Sequence, residues 1–395
     1  MLYMGIDIGK NHHEAGIING EGKHLGQSLR FANDAAGYAK LLGFIETKRE
    51  TDEPFKIGME ATGHYWLALY SFLFGQSFHV CVINPIQSDS LRSFHIRQTK
   101  TDSVDSFLIA EVLRFGLFEP TLLADEDIIA LRNLARFREG MVDTCSDYKR
   151  QVVALLDQVF PEYEKLFSDV FGESSKAFLK TYGTPEQCLQ VNTKTLSTLL
   201  KKTSHGRFGT AKAQELKSAA TVSCGVKMAN ETFAFQLQLL IQQIEFAEKQ
   251  VGQIEERIAS QLKKINSVVT TIPGVGPATG AIIIGEIGDI SRFSNPKKLV
   301  AFAGIDPTVM QSGSFSGSHN RLSKRGSPFL RRAIWMAAIV ASRTDPVFRA
   351  FYEKKRGEGK SHGTAIGAVA RKLTYTIFAV LTANKPYEIR ITQNP

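Results

Sequence analysis

A charged residue stands in the middle of the first predicted strand, and no other feature constrains the fold of this chain so strongly. Residues 2–8 form a short apolar run in which Asp7 lies between two isoleucines. A carboxylate in such a place costs free energy unless another group compensates it. Gly5 and Gly9 flank the site and leave room for a ligand to approach closely. The pattern predicts a sheet that carries a functional acid at its centre.

The pattern of apolar residues divides the chain into three parts. The first alternates strands and helices, which is typical of an α/β domain with a largely buried sheet. The second contains no convincing strand and predicts a helical, coiled-coil linker, with an insertion near residues 160–226 whose role the sequence does not indicate. The third is expected to be a mainly α-helical domain. The predicted boundaries are 1–125, 126–265 and 266–395.

A heptad pattern of apolar residues runs from Leu237 to Ile265, with one polar position at Gln261. Four heptads suffice for a stable helical pair. Two arrangements fit equally well. The helix can form an intramolecular hairpin with the long helix predicted over residues 127–159, or it can form a coiled coil between two chains.

Positive charge is concentrated near the C-terminus. Residues 266–395 carry 18 Lys and Arg against 7 Asp and Glu, whereas the whole chain has a net charge of +9. The remainder is therefore slightly acidic. Such a basic block indicates a polyanionic partner, and nucleic acid fits better than a membrane because no amphipathic basic helix accompanies the charge. The four cysteines form no C-x-x-C pair, and no signal peptide or membrane span is evident, so we expect a reduced, cytoplasmic protein without zinc.

Three more acids complete a predicted metal site with Asp7. Glu60 ends the fourth predicted strand, and Asp102 and Asp105 lie one turn apart at the start of a helix. Alone, Glu60 could be a surface acid, Asp102 a helix cap and Asp105 a solvated side chain. Together they provide the carboxylates that two hard cations about 4 Å apart require for phosphoryl transfer. The order of strand acid, strand-end acid and helix pair matches a ribonuclease-H-like fold.

Another interpretation of the N-terminus is a nucleotide-binding loop. The segment GIDIG resembles the first phosphate loop of actin-like ATPases and sugar kinases. Those proteins need a second Asp-Gly phosphate loop, and the sequence has no clear one.

Two segments of the third domain are candidates for contact with DNA. Residues 272–280 resemble a helix-hairpin-helix turn, in which Gly274 and Gly276 would present backbone N–H groups to a phosphate, although the glycines could also be purely structural. Residues 311–319 hold four serines and two glycines and predict a flexible loop, where a serine in a cationic setting could attack a phosphodiester. The candidate nucleic-acid contacts are Lys100, Arg321, Lys324, Arg325, Arg331 and Arg332.

Several motifs in a fixed order resemble the DEDD transposases of the insertion-sequence one-ten type, which are related to the Piv DNA invertases. They include GIDIGK, MEATGHYW and RQTKTDSVDSFLIAE at the N-terminus, and IPGVGPATG, FAGIDPTVMQSGS and RLSKRGSPFLRRAIWMAA towards the C-terminus.

The resemblance implies a RuvC-like α/β domain in which Asp7, Glu60, Asp102 and Asp105 bind Mg²⁺, with two ions expected and Mn²⁺ able to substitute. It also implies a serine nucleophile that links covalently to DNA. Ser312 matches the family position, and Ser314 matches it less well. The implied partners are donor and target DNA, a bridge RNA as guide, and further copies of the chain in a dimer or tetramer with active sites shared between subunits.

Three alternatives remain open at this point. One is a Piv-like invertase that uses no guide RNA. Another is a RuvC-like junction nuclease that needs only metal. The last is a nucleic-acid scaffold without catalysis.

Overall fold

The computed structural model describes residues 1–48, 53–60, 64–83, 101–116, 126–308 and 321–389, and the backbone of 311–312 and 315–316. The chain forms two compact units, Met1–Leu123 and Ala124–Pro395. The first is an α/β unit and the second is mainly helical. This layout confirms the α/β domain and the helical remainder that the sequence predicted.

The first unit is built on a five-stranded sheet in the order β3-β2-β1-β4-β5. The central strand β1 runs antiparallel to β2 and parallel to β4, which in turn is parallel to β5. The strands are β1 Leu2–Ile8, β2 His12–Ile18, β3 Leu29–Ala32, β4 Phe55–Glu60 and β5 Val80–Ile83, and the helices are α1 Ala35–Lys48, α2 Trp66–Gly75 and α3 Asp102–Phe115.

The two faces of this sheet carry different residues because side chains alternate along a strand. Met4 and Ile6 of β1 are fully buried in a core that also contains Leu41 of α1 and Leu69 of α2. The opposite face of β1 presents Gly5 and packs against α3. Asp7 and Glu60, two of the predicted site residues, belong to this second face.

Two long helices run through the second unit. α4 spans Glu126–Val159 and α9 spans Asn230–Ile265. They pack antiparallel, as three contacts between their polar side chains show: Lys149 with Glu248 at 2.7 Å, Arg138 with Glu255 at 2.6 Å, and Gln261 with Asp127 at 2.6 Å. The heptad pattern therefore forms an intramolecular hairpin. Within this hairpin, Ile241 is buried and Leu240 is only half-buried.

A small helical subdomain fills the predicted insertion. Its helices are α5 Glu173–Tyr182, α6 Pro185–Gln190, α7 Thr193–Thr203 and α8 Thr210–Val222. Tyr163 and Phe178 lie at the centre of its core and are fully buried, with ring centroids 5.6 Å apart. Leu237 and Ile241 of α9 belong to the same core, so the subdomain is anchored on the hairpin.

The C-terminal part of the second unit surrounds a separate core. Its elements are α10 Pro277–Ile287, α11 Pro296–Ala303, β6 Gln311–Ser312, β7 Phe315–Ser316, α12 Pro328–Thr344, α13 Pro346–Gly357 and α14 His362–Ala383. Glu286, which is 4% exposed, accepts two hydrogen bonds from Arg136 of α4, at 2.6 and 3.0 Å, and one from Ser327 at 2.8 Å. This buried carboxylate ties the hairpin to α10 and to the start of α12.

One helix in the described part of the chain, α14, is long and apolar enough to cross a membrane. The sequence did not predict this. Ile366, Leu373 and Ile377 of that helix are buried in the C-terminal core. Its apolar character is thus accounted for by packing inside the protein.

Candidate functional site

A row of three glycines brings α3 into direct contact with the sheet. Gly5 of β1 is paired with Gly16 of β2 on one side and with Gly58 of β4 on the other. A Cβ atom on Gly5 would lie 2.0 Å from the backbone oxygen of Ser106, and one on Gly58 would lie 2.6 Å from Leu113, both on α3. Only glycines let the helix cross the sheet at this distance.

The next row of the sheet, on the same face, consists of acids. Asp7 lies two residues beyond Gly5 and is paired with Glu14 of β2. Ile6 is paired with Met59, which brings Glu60 level with Asp7 on the other side. Because residues two apart on a strand share a face, all three side chains point to the side that α3 covers. Glu14 thus stands beside Asp7, and the sequence analysis missed it.

The start of α3 supplies two more carboxylates. Thr101 caps the helix, its side chain accepting a hydrogen bond from the backbone N–H of Val104 at 3.3 Å. Asp102 and Asp105 occupy the first turn, where the helix dipole favours negative charge. Asp105 is buried and Asp102 is exposed. The cap and the glycine row together fix where these carboxylates lie.

Asp7 is the electrostatic centre of the cluster. Burial raises its pKa to about 6, and the charges of Asp105, Asp102 and Glu60 act in the same direction. Three carboxylates from β4 and α3 therefore act on the fourth, Asp7 of β1. The close presence of several like charges is unfavourable unless a cation compensates them.

The donor set suits a hard divalent cation, because carboxylate oxygens are the ligands that Mg²⁺ prefers. In the described part of the chain, no three Asp, Glu, His or Cys side chains converge tightly enough to enclose a metal ion as they stand. The mutual repulsion around Asp7 is what a bound cation would relieve. The residues present thus fit a metal by their chemistry and charge.

Glu14 is linked to α3 through two serines. Its carboxylate accepts a hydrogen bond from Ser28 at 2.5 Å, and the Ser28 hydroxyl lies 2.7 Å from that of Ser103. Ser103 directly follows Asp102. The chain of hydrogen bonds therefore fixes the first turn of α3 relative to β2. The sequence signal for this role was weak, since only strand register places Glu14 opposite Asp7.

Ser312 lies in the short pair of strands β6 and β7, which we call the serine hairpin. Composition predicted a flexible loop, but β6 and β7 pair antiparallel, with Ser312 opposite Phe315. The base of the segment is also closed, because Thr308 donates its backbone N–H to Arg321 at 2.7 Å and Ser323 donates to Asp306 at 2.8 Å. Serine-rich composition did not reveal this pairing. The structure describes the backbone of Ser312, whereas Ser314 lies outside the described residues.

The candidate nucleic-acid contacts fall into two groups. Arg321, Lys324 and Arg325 are exposed beside the base of the serine hairpin. Arg331 instead donates to the backbone oxygen of Ala303 at 3.3 Å. The guanidinium of Arg332 donates to both carboxylate oxygens of Asp143, at 2.8 and 2.9 Å, and lies 3.0 Å from Glu139. These contacts favour a structural role for Arg331 and Arg332. Lys100 lies outside the described residues.

Residues 272–280 were predicted to form a helix-hairpin-helix turn, and the two glycines of that turn differ in their surroundings. Gly274 has a φ of +79°, and a Cβ there would lie 2.2 Å from the backbone oxygen of Ala337 on α12. Gly274 therefore allows the turn to pack closely against α12. Gly276 is exposed at the N-terminus of α10, with open space around it. Of the two, Gly276 is better placed to present a backbone N–H to a phosphate.

Comparisons with known proteins cover both ends of the chain. A family model for DEDD transposases of the IS110 type, described as Transposase, matches residues 4–161, and one described as Transposase IS116/IS110/IS902 family matches residues 266–353. The IS116 uncharacterized 44.8 kDa protein of Streptomyces clavuligerus is 27% identical over 387 residues, which are 96% of this chain and 94% of that protein. The pilin gene-inverting protein of Moraxella bovis is 25% identical over 392 residues, 98% of each chain.

Proposed function

We propose that this chain, which belongs to the IS110 family of transposases, cuts and rejoins DNA strands with a metal-binding acidic quartet and a serine nucleophile. The observation that carries the proposal is the cluster around Asp7, where carboxylates of β4 and α3 act on that of Asp7 next to a row of glycines. The order of the five strands supports a RuvC-like, ribonuclease-H-type domain as the frame of this site.

Asp7, Glu60, Asp102 and Asp105 would hold Mg²⁺, two ions in our proposal, with Mn²⁺ as a substitute. When bound, such ions supply the positive charge that phosphoryl transfer requires. The chain's own contribution is to keep these acids together: β1 and β4 carry two of them, and the capped first turn of α3 carries the others.

Ser312 is proposed as the nucleophile. Its hydroxyl oxygen forms a bond to the phosphorus of a DNA phosphodiester, and the bond from that phosphorus to one deoxyribose oxygen breaks. The serine proton passes to the leaving oxygen, which departs as a hydroxyl group. Attack by another strand's hydroxyl on the phosphoserine reverses the step and joins new partners. Because one ester replaces another, the strand exchange needs no external energy source. Arg321, Lys324 and Arg325 provide cationic surroundings beside this hairpin.

Two variants test this chemistry on labelled DNA that carries the joined ends of the mobile element. We expect Ser312→Ala to abolish the covalent protein–DNA adduct seen on denaturing gels, and strand exchange with it. Asp7→Asn should abolish both as well. If Ser312→Ala still cut DNA normally while Asp7→Asn did not, the protein would be a metal-dependent junction nuclease. If neither substitution changed recombination in cells, the chain would act as a scaffold.

A guide RNA is a separate part of the proposal. We propose that a bridge RNA encoded beside the gene pairs with donor and target DNA. The alternative is a Piv-like invertase without a guide, and the similarity to pilin gene-inverting proteins supports an invertase as such. Purification of the protein from cells that carry the gene with its flanking DNA should yield a bound, structured RNA. Strand exchange that persists after complete ribonuclease digestion of the purified protein would favour the invertase.

A further inference from the structure

The helical subdomain formed by α5–α8 contains an open cleft of about 990 Å³ whose lining is polar and basic. The cleft lies along α7 and the turn that follows it, and it reaches α8 only at Thr210, the first residue of that helix. Its lining includes Lys194, Ser197, Thr198, Lys201 and Lys202. It belongs to no part of the proposed catalytic machinery, and nothing in the sequence motifs accounts for it.

One face of α7 is turned towards this cleft. Lys194, Thr198 and Lys201 recur at intervals of four and three residues, which is the spacing of a single helical face. The opposite face carries Leu196 and Leu200, both fully buried in the core of the subdomain. Packing thus fixes the rotation of α7, and its lysines and hydroxyls are held on the cleft side.

The segment that contains α7 carries positive charge and no acidic side chain. Residues 192–212 contain five Lys and Arg and no Asp or Glu, whereas a solvated helical face commonly mixes both signs. Within the described residues, Lys194, Lys201 and Lys202 have no ion pair with a carboxylate. Asp169 and Glu173 line an adjoining, smaller cleft, and Glu173 is paired with Lys176 at 2.8 Å. The positive charge of the α7 face is therefore available to a partner.

The spacing of the charges favours a polyanion over a single phosphate. Lys201 lies seven positions after Lys194, which is about 10 Å along a helix axis. That distance spans more than one phosphate of a nucleic-acid strand. Lysine ammonium groups interleaved with serine and threonine hydroxyls are also the side chains that contact DNA phosphates without reading sequence.

From these observations we propose that the α7–α8 cleft is an auxiliary binding site for the phosphate backbone of duplex DNA. The inference rests on the proposed function, because the family's action on DNA is the reason to choose DNA among polyanions. The cleft holds DNA away from the reacting phosphodiester and strengthens binding without taking part in strand exchange.

The test uses the full-length protein and a fluorescein-labelled 40-base-pair DNA duplex of arbitrary sequence, with EDTA present so that binding is measured apart from cleavage. Lys194→Gln, Lys201→Gln and Lys202→Gln are combined in one variant. The matched control combines Lys249→Gln, Lys263→Gln and Lys264→Gln, three exposed lysines of α9 that do not line the cleft. Both variants lose the same charge, so only the position of that charge differs.

We expect the cleft variant to bind DNA about tenfold or more weakly at ~0.1 M salt, and its dependence of log affinity on log salt to become shallower by about 2–3, since each phosphate contact contributes about 0.9. The control should stay within about twofold of the parent protein. Equal affinities and equal salt slopes for the two variants would overturn the proposal. So would a cleft variant that lost affinity for an RNA duplex of the same length but not for DNA.

A second pair of variants guards against misfolding. Thr198→Glu puts a negative charge into the cleft at an exposed helical position and leaves the lysines in place, and Ser218→Glu does the same on an exposed position of α8 outside the cleft. Circular dichroism and thermal melting establish that both fold. Weaker DNA binding by Thr198→Glu alone supports the site, and equal binding by the two refutes it. Neither result depends on Ser312 or the acidic quartet, so failure of the proposed chemistry would be seen separately.

Discussion

At the scale of single residues, Asp7 lies in surroundings that are unfavourable for a carboxylate. Its carboxylate is partly buried and is repelled by three others, and its pKa rises from 3.8 to about 6. The folded state thus binds a proton more tightly than the unfolded state does. Its ionisation therefore costs the metal-free fold nothing below pH 3.8, costs more as the pH rises from 3.8 to about 6, and has its full cost above pH 6.

Asp7→Asn should therefore stabilise the metal-free protein at pH 8. The displaced pKa corresponds to about 3 kcal/mol at full effect, and solvent screening of this partly exposed group reduces the gain to about 1–2 kcal/mol. The gain should halve near pH 5 and vanish below the unfolded-state pKa of 3.8. Urea unfolding with EDTA across this pH range measures it.

The same variant also tests metal binding without any assay of activity. Mg²⁺ should raise the melting temperature of the parent protein and leave that of Asp7→Asn unchanged. Glu111→Gln is the control, because Glu111 lies on α3 but pairs with Arg114 at 2.8 Å, away from the acidic row. A parent protein indifferent to Mg²⁺, or a variant that responds equally, would contradict the proposed role of Asp7.

The sequence located Asp7, Glu60, Asp102 and Asp105 because each stands out locally: a charge between isoleucines, a strand end and a helix start. It did not locate Glu14, although Glu14 is paired directly with Asp7. Register between strands is set by packing of the whole sheet, and no local pattern around residue 14 reports it. The same reason explains why Arg331 and Arg332 looked like surface cations: their partners Ala303 and Asp143 are distant in the chain.

At the scale of elements, the contact between α3 and the sheet depends on the glycine row. Gly5→Ala would place a methyl group 2.0 Å from the backbone oxygen of Ser106 and 2.4 Å from the backbone nitrogen of Ala110. Backbone atoms cannot move aside as a side-chain end can, so α3 must shift. We expect a loss of at least about 3 kcal/mol in unfolding free energy, at the upper end for overpacking.

Gly43→Ala is the matched control for that substitution. Gly43 lies within α1, where a Cβ would meet nothing within 4 Å, and alanine should stabilise the helix by about 0.5–1 kcal/mol. Urea unfolding of both variants measures the two changes in unfolding free energy. A Gly5→Ala protein as stable as its parent would show that α3 does not need this close approach. Because the shift also displaces Asp102 and Asp105, Mg²⁺ should no longer stabilise Gly5→Ala.

The spacing of apolar residues predicted most helices and strands, but it did not determine whether the long helix α9 pairs with α4 or with a second chain. Heptad spacing determines which face of a helix is apolar, and it is the same for a hairpin and for a dimer. The choice comes from cross-helix contacts such as Lys149 with Glu248, whose residues are 99 apart in the chain. The short pair β6–β7 was missed for a similar reason, since two-residue strands carry no periodicity.

At the scale of the whole molecule, the two proposed halves of the chemistry lie in different units: the acidic quartet in Met1–Leu123 and Ser312 in Ala124–Pro395. If each active site combines the quartet of one subunit with the serine of another, two inactive variants should complement each other. Asp7→Asn supplies an intact Ser312, and Ser312→Ala supplies an intact quartet. A mixed dimer then contains one site with both groups and one with neither.

Equal amounts of the two variants, denatured together and refolded or expressed in the same cells, should form mixed dimers in about half of the molecules, which restores about a quarter of the sites. Covalent adduct should therefore return to roughly that fraction, carried only by the chain with the intact serine, which a size tag identifies on the gel. Each variant alone should give none. If both variants fold and assemble but the mixture stays inactive, the quartet and the serine act within one chain.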